Sequence, residues 1–374
     1  MTENRQPAIL VLEDGRVFHG KSFAAIGQTF GEGVFATGMS GYQETLTDPS
    51  YYRQIVLATA PHIGNTGWND DDDESSRIWV AGYVVRDPAR RTSNWRANRS
   101  LEDELVAQHI VGICELDTRA LTRHLRDAGT MRMGISSTDI DEQALLAKVK
   151  SQPLMAGANL ISQVTTDYPY TIEAIGVKKF DVVALDLGVK KNSLQELARR
   201  GLRVHVVPAS FTWEQIQAYK PDGLFVSNGP GDPATADHEV SLVKKALEAE
   251  VPVFGICFGN QILGRALGFD TYKLKYGHRG INQPVLDKRF GRIDITAHNH
   301  GFAISVPLDH SVETEFGRVA VSHVCLNDNV VEGLELTRND RLAALSVQYH
   351  PEAAAGPHDA EYLFDRFVKV MENA

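Results

Sequence analysis

The chain has little cysteine, no long apolar run and no surplus of basic residues, and each shortage excludes a class of protein. Three cysteines, Cys114, Cys257 and Cys325, stand among 374 residues. A set so sparse and odd in number makes no disulfide framework, and no CxxC or Cys/His zinc spacing is present. The N-terminal Met-Thr-Glu-Asn-Arg-Gln-Pro carries no apolar run, which argues against a signal peptide. No stretch approaches the ~20 apolar residues of a membrane span. These shortages predict a cytoplasmic protein with no membrane partner, in which the Asn98-Arg99-Ser100 glycosylation match has no role. Lys and Arg number 38 against 48 Asp and Glu, a net charge of −10. Nucleic-acid binding needs clustered Lys and Arg, so no nucleic-acid partner is expected, whereas small anionic substrates stay open. There is no Gly-Lys-Ser/Thr phosphate loop, and Gly31-x-Gly33 is not followed by a dinucleotide-binding helix, so ATP chemistry is not expected in this chain.

Enough apolar sequence remains, 43%, for two or three packed domains. Residues 1–150 read as an α+β domain. Ala8–Leu12 and Arg16–His19 flank Asp14-Gly15, a hairpin signal, because both turn residues tolerate positive φ. Further β-like runs fall at Gly33–Ala36, Gln54–Ala58 and Trp79–Val85. Asp117 caps a predicted helix over Thr118–Asp127 closed by Gly129, and Asp141–Lys150 reads as another. Residues 151–180, with Pro153, Gly157, Pro169 and Gly176, read as a linker. From 181 to 374 short strands and helices alternate. Strands are predicted over Val182–Asp186, Arg203–Val207, Gly223–Ser227 and Val251–Ile256, and helices over Lys190–Arg200, Trp213–Tyr219, His238–Glu248 and Gln261–Leu267. That alternation predicts an α/β fold with a doubly wound, mostly parallel sheet and ligands at the carboxyl ends of its strands.

Gly255-Ile-Cys-Phe-Gly259 ends an apolar strand where a helix begins. A sharp strand-to-helix turn holds a nucleophile in a strained conformation, and its neighbours two residues away must be small. The helix N-terminus favours a thiolate over the ordinary thiol pKa of about 8.5, and supplies N–H groups for an oxyanion. Cys114 and Cys325 lack this glycine frame and read as buried structural cysteines. A thiol nucleophile needs a base, and the base needs an orienting carboxylate. Gln348-Tyr-His-Pro-Glu352 follows the apolar run Leu342–Val347, which puts His350 and Glu352 just beyond a strand end. Asn228-Gly-Pro-Gly-Asp232 follows another strand; its N–H groups can approach a substrate closely. His298-Asn-His300 has the look of a metal pair, since alternate residues of a strand face the same way. With no third ligand nearby in sequence, packing is the favoured reading, and no metal is expected. Asp70–Glu74 lacks the glycine and spacing of an EF-hand loop and reads as a solvated loop.

Together, Asn228–Asp232, Gly255–Gln261 and His350-Pro-Glu352 resemble the class I, or triad, glutamine amidotransferases. Gly41-Tyr-Gln-Glu44, Leu46–Ser50, Pro61–Asn65, Asp117-Thr-Arg119, Asn299-His-Gly-Phe302 and Pro357-His-Asp359 narrow the resemblance to the small, glutamine-hydrolysing subunits of carbamoyl-phosphate synthetases. The likeness spans essentially the whole chain. It implies a Cys257–His350–Glu352 triad, and glutamine held by Ser50, Gly229, Gly231, Gln261, Asn299, Gly301 and Phe302. It also implies an oxyanion hole from the N–H groups of Gly231 and Phe258. It implies a large-subunit partner, in a heterodimer or larger assembly. That partner would bind ATP and Mg and turn the released ammonia and bicarbonate into carbamoyl phosphate for arginine and pyrimidine synthesis; no cofactor is implied in this chain. Two departures stand out: Phe258 where Leu is more usual, and Asn260 where His is more usual. Three other readings remain: the amidotransferase of another synthetase, a non-catalytic regulatory subunit, and a cysteine peptidase.

Overall fold

A computed structural model describes residues 5–374; Met1–Asn4, which open the segment read above for a leader, lie outside the described residues. The chain divides into two compact units. One runs to Met155 and takes in Lys275–Arg279; the other comprises Ala156–Leu274 and Gly280–Ala374. The segment read above as a linker is shared between them. Residues 151–155 belong to the first unit and 156–180 to the second, where Tyr170–Ile172 adds an antiparallel edge strand to Leu202–Pro208. The β-forming Tyr-Thr-Ile decides this, while the surrounding Pro and Gly shape turns.

In the first unit seven strands close into a barrel. Their order is Pro7–Leu12, Val17–Ala24, Val111–Cys114, Gly82–Val84, Gln54–Ala58, Gln28–Ala36 and Met131–Ser136. The opening hairpin forms around Asp14-Gly15, with Val11 opposite Val17 and Gly15 at φ 92°. Pairing of Met131–Ser136 with Pro7–Leu12 shuts the ring, which leaves no bare strand edge. Leu10, Leu12, Ile55, Leu57, Ile113 and Ile135 share one core with Leu121 and Leu125 of the helix Thr118–Ala128. That helix starts where Asp117 accepts from the Ala120 N–H at 2.9 Å.

The second unit is built on an eleven-stranded sheet. Five neighbouring strands run parallel: Leu202–Pro208, Phe180–Asp186, Gly223–Val226, Val253–Ile256 and Arg341–Val347. An antiparallel block continues from the last of these through Val331–Arg338, Gly317–Cys325, Thr271–Asp287 and Arg292–Ile304. The parallel strands are buried on both faces, so they read as continuous apolar runs. Val183, Leu185, Leu224 and Val226 join a core with Trp213, Val243, Ile262 and Leu263. The alternate residues Val182, Ala184, Phe225 and Phe254 join a second core with Leu194, Leu197, Phe364 and Phe367. Helices Trp213–Gln217, Asp237–Glu248 and Phe258–Ala266 thus share one core, and Lys191–Arg199 and Tyr362–Glu372 the other.

Two differences from the sequence reading bear on the site. The helix after the nucleophile begins at Phe258, three residues before the predicted start. Gly259 and Asn260 are poor helix formers, but Phe258 is buried in the core and fixes the turn. Apart from the stretch around His298–His300, the strands between 271 and 338 were not foreseen, because their many charged and polar residues mask the apolar alternation.

Candidate active site

Four adjacent parallel strands end in the pieces that carry the chemistry. Beyond Asp186 lies Lys190, and beyond Val226 lies Asn228–Asp232. Cys257 directly follows Ile256, and Gln348–Glu352 follow Val347. Loops at carboxyl ends of neighbouring parallel strands point the same way, which brings distant sequence together.

Cys257 sits at φ 55° and ψ −100°, a conformation that costs an L-residue about 1–3 kcal/mol. Its N–H donates to the Val347 carbonyl at 2.8 Å, pinning the turn to the next strand. The flanking glycines are required by space. A Cβ on Gly259 would lie 2.1 Å from the Val226 oxygen, and one on Gly255 would lie 2.5 Å from the Gly259 oxygen. Phe258 is the first helical residue, so its N–H has no acceptor within the helix. Its side chain is 2% exposed and packs in the core, so the Leu-to-Phe departure is taken up by packing.

Three polar groups surround the sulfur. The Asn299 carbonyl lies 3.5 Å from Sγ and accepts from the thiol. Gln348 Nε2 lies 3.7 Å from Sγ on the donor side. The His350 imidazole is the third neighbour, and Glu352 and the sulfur together raise that ring's affinity for a proton. His350 is fixed twice: its N–H donates to Ala297 O at 2.8 Å, and Nδ1 meets Glu352 Oε1 at 2.8 Å. Nδ1–H therefore donates to the carboxylate, and Nε2, buried with no hydrogen-bond partner among the described residues, is the nitrogen left for chemistry. Burial alone would push the imidazole pKa down; the Glu352 carboxylate and the Cys257 sulfur outweigh it and hold the ring's pKa well above the ordinary histidine value.

Glu352 is fully buried, yet its pKa is held below the usual glutamate value. Burial pushes it up, but the Lys190 ammonium and the His350 ring pull it down further. Lys190 Nζ lies 3.1 Å from Glu352 Oε1, with both side chains at most 5% exposed, and donates to the Ala354 carbonyl at 2.6 Å. Asn192 donates to the Glu352 carbonyl. The base is therefore the middle of a buried series running from ammonium to carboxylate to imidazole to thiol.

The Asn260 departure is absorbed into this network. Ser346 Oγ donates to Asn260 Oδ1 at 2.8 Å, and Asn260 Nδ2 donates to Gln348 Oε1 at 3.0 Å. Gln261 Nε2 also donates to Gln348 Oε1, at 3.1 Å, and to the Phe302 carbonyl at 3.0 Å. With two donors on its oxygen, Gln348 must aim its amide nitrogen at the sulfur. The Asn228–Asp232 loop is equally constrained. Asn228 Nδ2 donates to Gly188 O at 2.8 Å, and Asp232 accepts from the Gly157 N–H at 2.7 Å. Gly231 is at φ 98°, and a Cβ on Gly229 would lie 2.2 Å from the Leu187 oxygen.

Of the predicted residues, Cys257, His350, Glu352, Gln261, Asn299 and Phe302 are joined by these contacts. Gly301 lies beside Phe302 on the strand Arg292–Ile304. Ser50 lies in the first unit, buried on the short helix Pro49–Tyr51, where its N–H donates to Asp48 at 2.9 Å. The sequence reading missed Lys190 and Gln348. Lys190 opens the predicted helix Lys190–Arg200, and nothing local marks it as the partner of a distant carboxylate. Gln348 was read only as part of the His350 loop, although its place two residues before the base was a usable signal.

Residues 10–135 match the family model described as carbamoyl-phosphate synthase small chain, CPSase domain, and residues 183–370 match that of class-I glutamine amidotransferase. The carbamoyl phosphate synthase small chain of Streptomyces coelicolor is 64% identical over 371 residues, covering 99% of this chain and 97% of that one. That of Streptomyces avermitilis is 63% identical over 368 residues, covering 98% and 96%. That of Mycobacterium tuberculosis strain H37Rv is 61% identical over 371 residues, covering 97% and 98%.

Proposed function

Because the chain belongs to the carbamoyl phosphate synthase small-chain family and carries a class I glutamine amidotransferase domain, we propose that it hydrolyses L-glutamine at Cys257 and delivers the ammonia to a large chain. One observation carries this reading: the strained Cys257 meets a base whose other ring nitrogen is held by a buried Glu352–Lys190 pair.

The Cys257 thiolate attacks the side-chain amide carbon of glutamine. The S–C bond forms, and the carbonyl electron pair moves onto oxygen. The N–H groups of Gly231 and Phe258 stabilise that oxyanion. His350, as imidazolium, gives its Nε2 proton to the amide nitrogen, the C–N bond breaks, and ammonia leaves a thioester. Neutral His350 then takes a proton from water as the water attacks the thioester carbon. Collapse expels the thiolate and yields glutamate. Glu352 keeps Nδ1 protonated throughout and balances the imidazolium charge. Lys190 keeps Glu352 ionised in its buried setting. Gly229, Gln261, Asn299, Gly301 and Phe302 hold the substrate.

A large chain with bound ATP and Mg then combines the ammonia with bicarbonate to form carbamoyl phosphate, a cytoplasmic supply for arginine and pyrimidine synthesis. The match over residues 10–135 supports this assignment against the amidotransferase of another synthetase. The test is glutamine hydrolysis with and without the large chain, ATP and bicarbonate. The proposal expects hydrolysis to rise when all are present, with one carbamoyl phosphate per glutamine. Hydrolysis indifferent to the partner would overturn it.

A further inference from the structure

A second hollow lies within the second unit. The helix Tyr362–Glu372, the start of the strand Arg341–Val347 and the turn 288–291 line a cavity of about 640 Å³. That volume falls in the range of small-molecule pockets, about 300–1,000 Å³. Four of its lining residues are cations: Arg289, Arg341, Arg366 and Lys369. Such a gathering runs against the charge of the whole chain, which is −10. Arg366 and Lys369 stand three apart on the helix and so share one of its faces. Phe364 and Phe367 of the same helix pack in the core and fix which face that is.

The donors of these cations are largely unspent on the protein itself. Arg366 is 9% exposed. Its Nη2 donates to Glu335 Oε1 at 2.5 Å, but its buried Nη1 has no acceptor among the described residues. A buried charged donor left without an acceptor is unfavourable, so an anion is wanted nearby. Arg289 comes no closer to Glu335 than 3.9 Å. Arg341 Nη1 donates only to the Asn373 carbonyl, at 3.3 Å. Lys369 Nζ forms no hydrogen bond or ion pair with any described residue. Two acidic side chains, Asp340 and Glu372, also line the cavity, yet neither pairs with any of the four; Asp340 lies 3.9 Å from Arg318 instead.

Three guanidinium groups and an ammonium suit a phosphate group better than a lone carboxylate. Each guanidinium offers paired N–H donors in a planar fork, and a phosphate monoester carries nearly two charges on three strong acceptor oxygens. Phe290, 58% exposed, adds apolar lining with Leu342 and Val370, which suits an organic group attached to the phosphate. Position separates this cavity from the place of the Cys257 chemistry. The strand Arg341–Val347 begins at the cavity and ends at the loop that carries His350, about 20 Å away at about 3.3 Å per residue. The cavity therefore lies toward the amino end of that strand, and the catalytic loop at its carboxyl end.

We infer that this cavity is a binding site for a small organic phosphate, held by Arg289, Arg341, Arg366 and Lys369, with Phe290 against its carbon skeleton. The site is distinct from the one that takes glutamine. The inference stands apart from the glutaminase reading, since none of these residues takes part in the proposed proton transfers.

The test is calorimetric titration of the full-length chain with phenyl phosphate, at an ionic strength held constant with sodium chloride. The expected result is one phenyl phosphate bound per chain with a Kd below about 1 mM, displaced by inorganic phosphate and untouched by saturating glutamine. Arg341→Met and Lys369→Met should each weaken it at least about tenfold. Lys244→Met, which removes an equal charge from the helix Asp237–Glu248 outside the cavity lining, should leave it unchanged. No saturable binding up to about 10 mM in the wild-type chain would overturn the inference. Binding undiminished in both cavity variants, binding weakened as much by Lys244→Met, or displacement by glutamine would overturn it too, because the anion would then sit elsewhere. Arg341 and Lys369 are exposed, so their replacement spares the core, and the wild-type titration decides the question even where a variant fails to fold.

Discussion

Replacing Lys190 by methionine removes a buried cation while nearly keeping its volume, and isolates what the ammonium does for Glu352. At 3.1 Å and an effective dielectric of about 20, the ion pair is worth about 5 kcal/mol before desolvation. Part of that is offset, because methionine needs no desolvation and His350 still faces the carboxylate at 2.8 Å. Removing one partner of a buried pair typically costs about 3–5 kcal/mol, and the surviving histidine places Lys190→Met near the lower end, about 3 kcal/mol at pH 7. The pH dependence has a definite sign. The Glu352 pKa is depressed in the folded chain, so its contribution to stability is present above the ordinary value of about 4.5 and is lost as pH falls through the depressed one. Without Lys190 the carboxyl moves back up and loses its contribution at higher pH. The gap between wild type and variant is therefore widest above about pH 4.5 and narrows below it. Urea unfolding at a series of pH values measures this, and glutamine turnover should fall about 10- to 100-fold as His350 loses a fixed partner. Equal stability within about 0.5 kcal/mol, or a gap that widens in acid, would refute the reasoning.

Other expectations follow from the same contacts. Gln348→Met keeps the volume but loses the donor 3.7 Å from Sγ, so kcat should fall about tenfold, about 1.4 kcal/mol, with KM for glutamine little changed; steady-state kinetics checks it. Burial pushes the Cys114 thiol up to about 11 and Cys325 up to about 12, so iodoacetamide at neutral pH should modify Cys257 alone. Peptide mass mapping should find one adduct, which glutamine suppresses. Gly259→Ala places a methyl 2.1 Å from the Val226 oxygen and should destabilise the second unit by about 3 kcal/mol or more, read by thermal unfolding.

Much of the site was legible before any coordinates. The glycine frame of Cys257 follows from a steric rule that acts within five residues, and the Gly255 and Gly259 contacts obey it. The parallel strands were legible because burial on both faces leaves unbroken apolar runs such as Val182–Leu185. What escaped depends on long-range pairing. Lys190 meets Glu352 across 162 positions of sequence only because the strands before them belong to one parallel run whose carboxyl ends lie on the same side. Glu332 meets His298 and His300 through a block of strands whose charged residues mask its pattern. The barrel escaped for a related reason. Local patterns reveal strands such as Gln54–Ala58, but not that Met131–Ser136 returns to close on Pro7–Leu12.

The central claim is that Cys257 makes ammonia for use elsewhere. The most direct test is Cys257→Ser assembled with the large chain and supplied with ATP and bicarbonate, comparing glutamine with ammonium salt as nitrogen source. The account predicts that carbamoyl phosphate synthesis from glutamine is lost while synthesis from ammonia continues at the wild-type rate. Glutamine-driven synthesis that survives the substitution would contradict it.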